Sequence, residues 1–554
     1  MIERASGHAR PALAGQQAPA HDRLLAFFRE RDWALDAVLI VAVTLAAAIT
    51  RLVLLGEIPY GLHPDEAQVG TDVHKILRGD FIHIYTTAVL GQPSGHAWIS
   101  LPAIWLLGDT LFAVRLTLAL VAIAAIPLLY ALVRVTYGRA EAFFAAAMLT
   151  VSYWHLMYSR VAHWSISYGT VLLAVLLCLA LGMKTRNLWW FAGAGLAMGL
   201  GVYTYNIYPI AVVAVAVFLA IITWLHYRGD LAWWGRAMLI TWGIALIVAT
   251  PMIVYISNPD SFYWFHINNY QEVGVLDSPE FKEAGFGGKV KLIAEQAKTF
   301  VAHYGWDADP DIVDGFGIRP VFDPPTLVLL AGGLILAFFD RRNAMVIAAL
   351  CCLLIIPLPA VLQRGSIMRQ PVAAAPFVAF LAALPLAWLW RGALRAWDVN
   401  RTAAVASLVG AVAALALVTT ITVRDYFWVW REDDWTRLIY SSEITTASTY
   451  MNRLPDDAYV LLYSDRWPFF IEIRQFLAPD ARGEDRSFEF GGDAGDVSIP
   501  DPSRPTVFIL IGNYVGQLEQ IEDRYPGGTR RVFERDGKLE FVAYEVGFDD
   551  ADGR

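Results

Sequence analysis

Apolar runs long enough to cross a bilayer recur from about residue 37 to residue 422, and no other feature constrains the fold as tightly. A bilayer core offers no water to backbone amides, so each run must satisfy its own hydrogen bonds, and the α-helix does this within one segment. The fold class is therefore a polytopic α-helical membrane protein. Composition agrees: 56% of the 554 residues are hydrophobic and 17% are charged, where soluble domains carry about a quarter. The net charge of −9, concentrated toward the C-terminus, argues against a nucleic-acid partner. Cys178, Cys351 and Cys352 all fall inside apolar runs and read as small core residues, neither a disulfide framework nor a metal cluster.

The pattern predicts eleven spans, near 36–55, 115–136, 141–157, 165–183, 189–205, 207–225, 236–256, 324–339, 343–362, 371–390 and 402–423. Residues 1–33 lack the apolar core of a signal peptide and read as a disordered cytoplasmic tail. With that tail inside, the inner connections carry Arg139, Lys184, Arg186, Arg228, Arg236, Arg341, Arg342, Arg391, Arg395 and Arg401. This is the positive-inside bias expected of a multi-pass protein of the cytoplasmic membrane. The transmembrane domain is set at 34–423, with a first outer loop at 56–114 and a long outer loop at 257–323. Residues 424–554 form an extracytoplasmic domain.

Within the first outer loop, residues 65–78 read as a short helix with Ala67, Gly70, Val73 and Leu77 on one side. Ala97–Gly108 is apolar but too short to span, so it is placed in the interface. The long outer loop is rich in aromatic residues, including Tyr263, Trp264, His266, Tyr304 and Trp306, and Lys289–His303 has helical periodicity. In the C-terminal domain, Tyr459–Tyr463 and Thr506–Ile511 read as buried strands and Val515–Tyr525 as an amphipathic helix. Asp536-Gly537 marks a hairpin between Arg531–Arg535 and Lys538–Val546, while Arg482–Pro505 reads as loop. The sum is a small α/β domain.

The chemistry gathers on the outer face. Asp65 and Glu66 are adjacent carboxylates just beyond the first span. Asp65-x-x-Gln68 resembles a capping box, which explains one acid at a helix start but not two. Successive helix residues point about 100° apart, so the two acids face different partners. Arg160, Arg364 and Arg369 lie on the same side, where snorkelling toward headgroups is the plain explanation for each alone. Together they suit a phosphate, because the guanidinium fork matches its oxygens. His63, His155 and Tyr304 are the candidate sugar contacts. No cofactor is required by the pattern; if a metal binds, Asp65 and Glu66 would hold Mg2+ or Mn2+ through oxygen.

Pro59-x-Gly61-Leu62-x-x-Asp65-Glu66-Ala67 and Ile76-Leu77-x-Gly79-Asp80 resemble the first outer loop of GT-C glycosyltransferases. The nearest branch is the protein O-mannosyltransferase and aminoarabinose-transferase superfamily, family 39 and its bacterial relatives. Trp105–Arg115, Ser152-x-Trp154-His155-x-x-x-Ser159-Arg160 and Arg369–Phe377 follow in the family's order, so the resemblance covers roughly residues 36–423. It implies inverting transfer of a hexosyl or pentosyl group from a polyprenyl-phosphate donor to a glycan, lipid or protein acceptor. Asp65 would be the general base, Glu66 the second carboxylate of the catalytic pair, at the acceptor site or in a structural role, and the outer arginines the donor-phosphate site. One departure is Gly91-Gln-Pro-Ser-Gly95, which replaces the Lys-Pro-Pro-Leu stretch of the aminoarabinose transferases. Another is His163–Tyr168, which lacks the Asp those enzymes often carry there. Two other functions fit such a chain: a flippase for lipid-linked sugars, or a non-catalytic envelope-glycan assembly protein. A flippase would place charged or broken segments at mid-membrane in matching halves, whereas the acids and bases here cluster at the outer edge.

Overall fold

The computed structural model describes residues 32–80, 84–86, 91–271, 274–308, 317–363, 368–487 and 496–548. The expected N-terminal tail up to residue 31 and Arg364 lie outside the described residues. Among the described residues, eight helices are long and apolar enough to cross a membrane. They are Trp33–Leu52, Leu111–Thr136, Ser165–Thr185, Pro209–Tyr227, Leu231–Ile256, Ala344–Val361, Gln370–Ala396 and Arg401–Trp430. The predicted spans at 189–205 and 324–339 form helices of 14 and 16 residues, Leu188–Gly201 and Pro324–Phe339. Both fall short of the roughly 20 residues that a perpendicular crossing takes. The predicted span at 141–157 is broken into Arg139–Thr150 and Tyr153–Ser159. The break follows from Ser152, whose side chain accepts from the His155 N–H and starts a new helix.

The helix Gln370–Ala396 is the centre of the bundle: 83% of its apolar window is buried, against 17% for Arg401–Trp430. Pro324–Phe339 packs so closely on it that a Cβ at Gly333 would strike the Leu381 carbonyl. Exposed Leu, Val and Trp side chains ring the outer helices, as lipid-facing surfaces require. Two short helices, Pro64–Leu77 and Gly95–Leu107, lie in the first connection as expected. The second exposes Trp98 and Trp105, which suits the interface.

The C-terminal segment builds a five-stranded sheet from β1 (Tyr459–Ser464), β2 (Arg482–Asp485), β3 (Thr506–Ile511), β4 (Thr529–Arg535) and β5 (Lys538–Val546), in the order β2-β1-β3-β5-β4. β2, β1 and β3 are parallel; β5 and β4 add an antiparallel hairpin. Asp536 and Gly537 both take positive φ, 50° and 74°, the geometry of a two-residue hairpin turn. Two expectations change. Arg482–Asp485 is a strand rather than loop: its polar sequence suits an edge, where only one side needs a partner. The predicted helix at 515–525 resolves into a 3-10 turn, Gly512–Gln517, and a short helix, Leu518–Arg524.

This domain is seated on the first connection. Leu62 N–H donates to Thr445 Oγ1 at 3.0 Å, and the Tyr60 and Thr446 hydroxyls are 2.9 Å apart. Gly61, with φ of 98°, lies where any Cβ would collide with the Tyr440 carbonyl. The Asp65 stretch is thus clamped between the bundle and the sheet domain.

Candidate active site

The sequence Gly-Leu-His-Pro-Asp-Glu opens the helix Pro64–Leu77, with Pro64 at the first turn, where its missing N–H costs nothing. The cap is His63, not Asp65: its Nδ1 accepts from Asp65 N–H at 3.1 Å, and Glu66 Oε2 accepts from His63 N–H at 3.0 Å. The box is therefore His63-x-x-Glu66, two residues earlier than Asp65-x-x-Gln68. Gln68 instead donates to Thr71 and Asp72.

Glu66 is wholly engaged. Arg115 Nε and Nη2 donate to its two oxygens at 2.8 and 3.0 Å, and Ala162 N–H donates to Oε1 at 2.7 Å. Arg115 also gathers the carbonyls of Leu55, Pro59 and Gly61. Burial alone would raise the Glu66 carboxyl, but the Arg115 charge and these hydrogen bonds override it and hold the group below its ordinary value. Glu66 faces the protein and acts as a structural tie. Of the two roles expected for Glu66, the acceptor-site one is corrected and the structural one remains.

Asp65, one residue earlier, faces open space. It lines two chambers, of about 640 and 360 Å³ counted out to their mouths, that meet at Asp65, His163 and Arg369. The larger runs past Gln92, Tyr205 and His266; the smaller runs past His63, Tyr158 and Tyr440. Arg369 Nη1 is 3.9 Å from Asp65 Oδ2, and His63 Nδ1 is 3.8 Å from the same oxygen. His163 Nδ1 accepts from Ser165 N–H at 3.2 Å. Burial, and then the Arg369 charge, hold its imidazole well below the usual range, so it is neutral at pH 7.

Arg369 is held from both sides. Trp154 Nε1 donates to the Met368 carbonyl at 2.9 Å, and the Tyr168 hydroxyl donates to the Gln370 carbonyl. The backbone on each side of Arg369 is pinned, and its guanidinium is aimed at the cleft. Neither Trp154 nor Tyr168 stood out as a site residue in the sequence, although a buried indole N–H always wants an acceptor.

Three other expectations fail. Arg160 is 0% exposed and points away from the cleft. It donates to the carbonyls of Thr50, Arg51, Leu54 and Ile58, closing the C-terminal end of the helix Asp32–Leu52. Unpaired carbonyls at a helix end also attract a cation, and the chain brings four of them within reach of Arg160. His155 is buried against Arg51 Nη2 at 3.2 Å, and Arg51 in turn caps the helix Arg139–Thr150 through Leu149 and Thr150. Tyr304 packs its ring on Trp154, Phe300 and Phe322, beneath the Met368 turn rather than in the cleft. It supports Trp154 and does not reach a sugar. His63, by contrast, remains on the chamber wall.

The donor set does not fit a divalent cation. Both Glu66 oxygens are taken, the nearest charge to Asp65 is Arg369, and no group of three His, Cys, Asp or Glu side chains among the described residues could hold a metal. Accordingly, activity is expected to survive treatment with excess EDTA, measured as donor consumption. Loss on chelation, with recovery on adding Mg2+ or Mn2+, would show a cation held by other groups.

The comparisons bear on this geometry. Residues 91–255 match the model of the dolichyl-phosphate-mannose-protein mannosyltransferase family. The structure of ArnT from Cupriavidus metallidurans bound to undecaprenyl phosphate superposes with a TM-score of 0.51, over 93% of this chain and 99% of that one, at 16% identity. The fold is GT-C-like. A second solved structure agrees in fold, the Archaeoglobus fulgidus oligosaccharyltransferase tethered with an acceptor peptide. It matches with a TM-score of 0.50 at 14% identity, over 82% of this chain and 64% of the other. A comparison of the sequence with curated proteins finds no match.

Proposed function

We propose that this GT-C protein is an inverting glycosyltransferase. It moves a sugar from a polyprenyl-phosphate donor onto an acceptor hydroxyl at the outer face of the cytoplasmic membrane. The observation that carries the reading is the 3.9 Å approach of Arg369 to Asp65 where the two chambers meet. One carboxylate and one positioned guanidinium, in a cleft with two arms, are the minimum that such a transfer needs. Asp65 takes the proton as the acceptor oxygen attacks the anomeric carbon from the face opposite the phosphate. The bond from that carbon to the phosphate oxygen breaks, and the electron pair leaves with the lipid phosphate. Arg369 then offsets the gathered charge. The neutral His163 beside them adds a hydrogen-bonding edge without adding charge.

Two further features support this reading. The solved ArnT structure with the same fold is bound to undecaprenyl phosphate. Of the basic residues of the expected inner connections, Arg139, Arg186 and Arg391 pair with Asp36, Asp230 and Glu141, none of which lines the cleft, consistent with an N-terminus inside and a sheet domain outside. In this frame the acceptor, whether glycan, lipid or protein, enters beside the sheet domain.

The test is transfer itself, with purified protein in nanodiscs and a panel of polyprenyl-phosphate sugars. Arg369→Ala is expected to raise the donor KM at least about tenfold, the loss of one charge-assisted phosphate contact. An unchanged donor titration would place the phosphate elsewhere. Transport of the intact lipid-linked sugar without its cleavage would favour a flippase.

A further inference from the structure

Between the helices Pro64–Leu77 and Gly95–Leu107, four buried side chains carry polar atoms without partners. Asp72 Oδ2, Gln92 Nε2, both ring nitrogens of His96 and the Ser100 hydroxyl have no protein hydrogen bond. Their residues are 0, 1, 2 and 0% exposed. One edge of His96 approaches the Pro93 backbone without the alignment that a hydrogen bond needs. Roughly nine in ten buried polar atoms in proteins are paired, so five orphans in one place point to something that completes them.

The set is continuous with the cleft. Gln92 and Trp164 both line the larger chamber beside Asp65. The Trp164 ring lies 5.0 Å from the His96 ring and stacks on His163 at 4.7 Å. Ser100 follows His96 by one helical turn, and the Asp72 charge bears on the His96 ring. The set is also close to neutral. Asp72 Oδ1 accepts from Lys75 at 3.1 Å and from Gln68 at 3.0 Å, and burial holds His96 down to about 4. Donors and acceptors without net charge match hydroxyl groups, which both give and take hydrogen bonds. Asp72 is already paired with Lys75, so this set offers an ammonium or a carboxylate no charge that is not already paired.

We infer that Gln92, backed by His96, Asp72 and Ser100, is the subsite that reads the hydroxyl groups of a neutral sugar held in the Asp65 cleft. The inference rests on the glycosyl-transfer reading above. Gln92 stands on the cleft wall and makes the contact. His96, Asp72 and Ser100 are positioning residues that act through Gln92 or through water bridging to it. A site built to pair a hydroxyl discriminates sharply against an analogue that lacks it, because its own polar groups are left orphaned.

The probes are short-chain polyprenyl phosphates carrying a neutral hexose or pentose, the corresponding monodeoxy sugars, an amino sugar and a uronic acid. Donor binding is measured beside turnover on the full-length protein. With the unsubstituted protein, removal of one hydroxyl from the preferred neutral donor is expected to lower kcat/KM at least about 100-fold. In Gln92→Leu and, separately, His96→Phe, the same comparison is expected to shrink to below about tenfold, because a misfolded or merely loosened protein loses rate on every donor alike. Discrimination that persists in both variants, or preference for the amino sugar or the uronic acid, overturns the subsite. If no donor is turned over but binding still depends on that hydroxyl in a Gln92-dependent way, the transfer reading falls and the subsite stands. Binding and turnover that both ignore the hydroxyls overturn the subsite alone.

Discussion

Asp65→Asn is expected to lower glycosyl transfer by about 10²- to 10⁴-fold, the range that a positioned general base supplies. Donor binding should change little. The substitution keeps the shape of the side chain and its place beside Arg369 and removes only the ability to take a proton. The neighbouring acid provides the contrast. Glu66 is as close in sequence as a residue can be, yet both its oxygens are bound by Arg115 and by backbone N–H groups. Loss of activity in Glu66→Gln should therefore track loss of folded protein. Transfer rates measured per mole of folded protein separate the two, and an Asp65→Asn variant with normal turnover would remove Asp65 as the base.

The second large effect is on stability. Arg115→Met should destabilise the protein by about 3–5 kcal/mol, because it leaves the Glu66 carboxylate buried without its counter-charge. The carbonyls of Leu55, Pro59 and Gly61 lose their donor in the same step. The expected readout is a fall in Tm in detergent or nanodiscs, much larger than for an exposed charge such as Arg535, whose pair with Glu57 lies at the surface. The pH dependence has a fixed sign. Glu66 has a lowered carboxyl in the folded state, so its contribution is fully present above the unfolded carboxylate value of about 4.3 and drains away as pH falls through the folded value. Acid should therefore lower the Tm of the unsubstituted protein more steeply than that of a doubly substituted Glu66→Gln, Arg115→Met protein. Parallel pH curves would show that this pair does not govern acid stability.

The residues that the sequence misplaced share one physical cause. Arg160 and Arg369 look alike in the chain, as arginines at the outer ends of apolar segments. One sits against the open carbonyls of a helix end and is consumed there; the other has its flanking carbonyls held by Trp154 and Tyr168 and is left aimed into a cleft. Nothing local to either residue distinguishes these fates. They depend on which helix end arrives beside it, from more than a hundred residues away in the case of Arg160. His155 and Tyr304 were misplaced in the same way, drawn off by Arg51 and by an aromatic stack under the cleft.

Hydrophobic periodicity and turn chemistry, which act over a few residues, determined what the sequence could settle alone. They gave the helical bundle, the two short helices of the first connection, the Asp536-Gly537 hairpin and the stretch that carries Asp65. The divergence of Asp65 and Glu66 also followed from helix geometry, though not which acid would meet a partner. Only the tertiary structure decided that Glu66 is spent on Arg115, that Asp65 meets Arg369 and His163 between two chambers, and that five orphaned polar atoms collect on Gln92 and the three residues grouped with it. Each of these is a competition between charges or hydrogen-bonding groups for partners distant in sequence, and folding alone brings the competitors together.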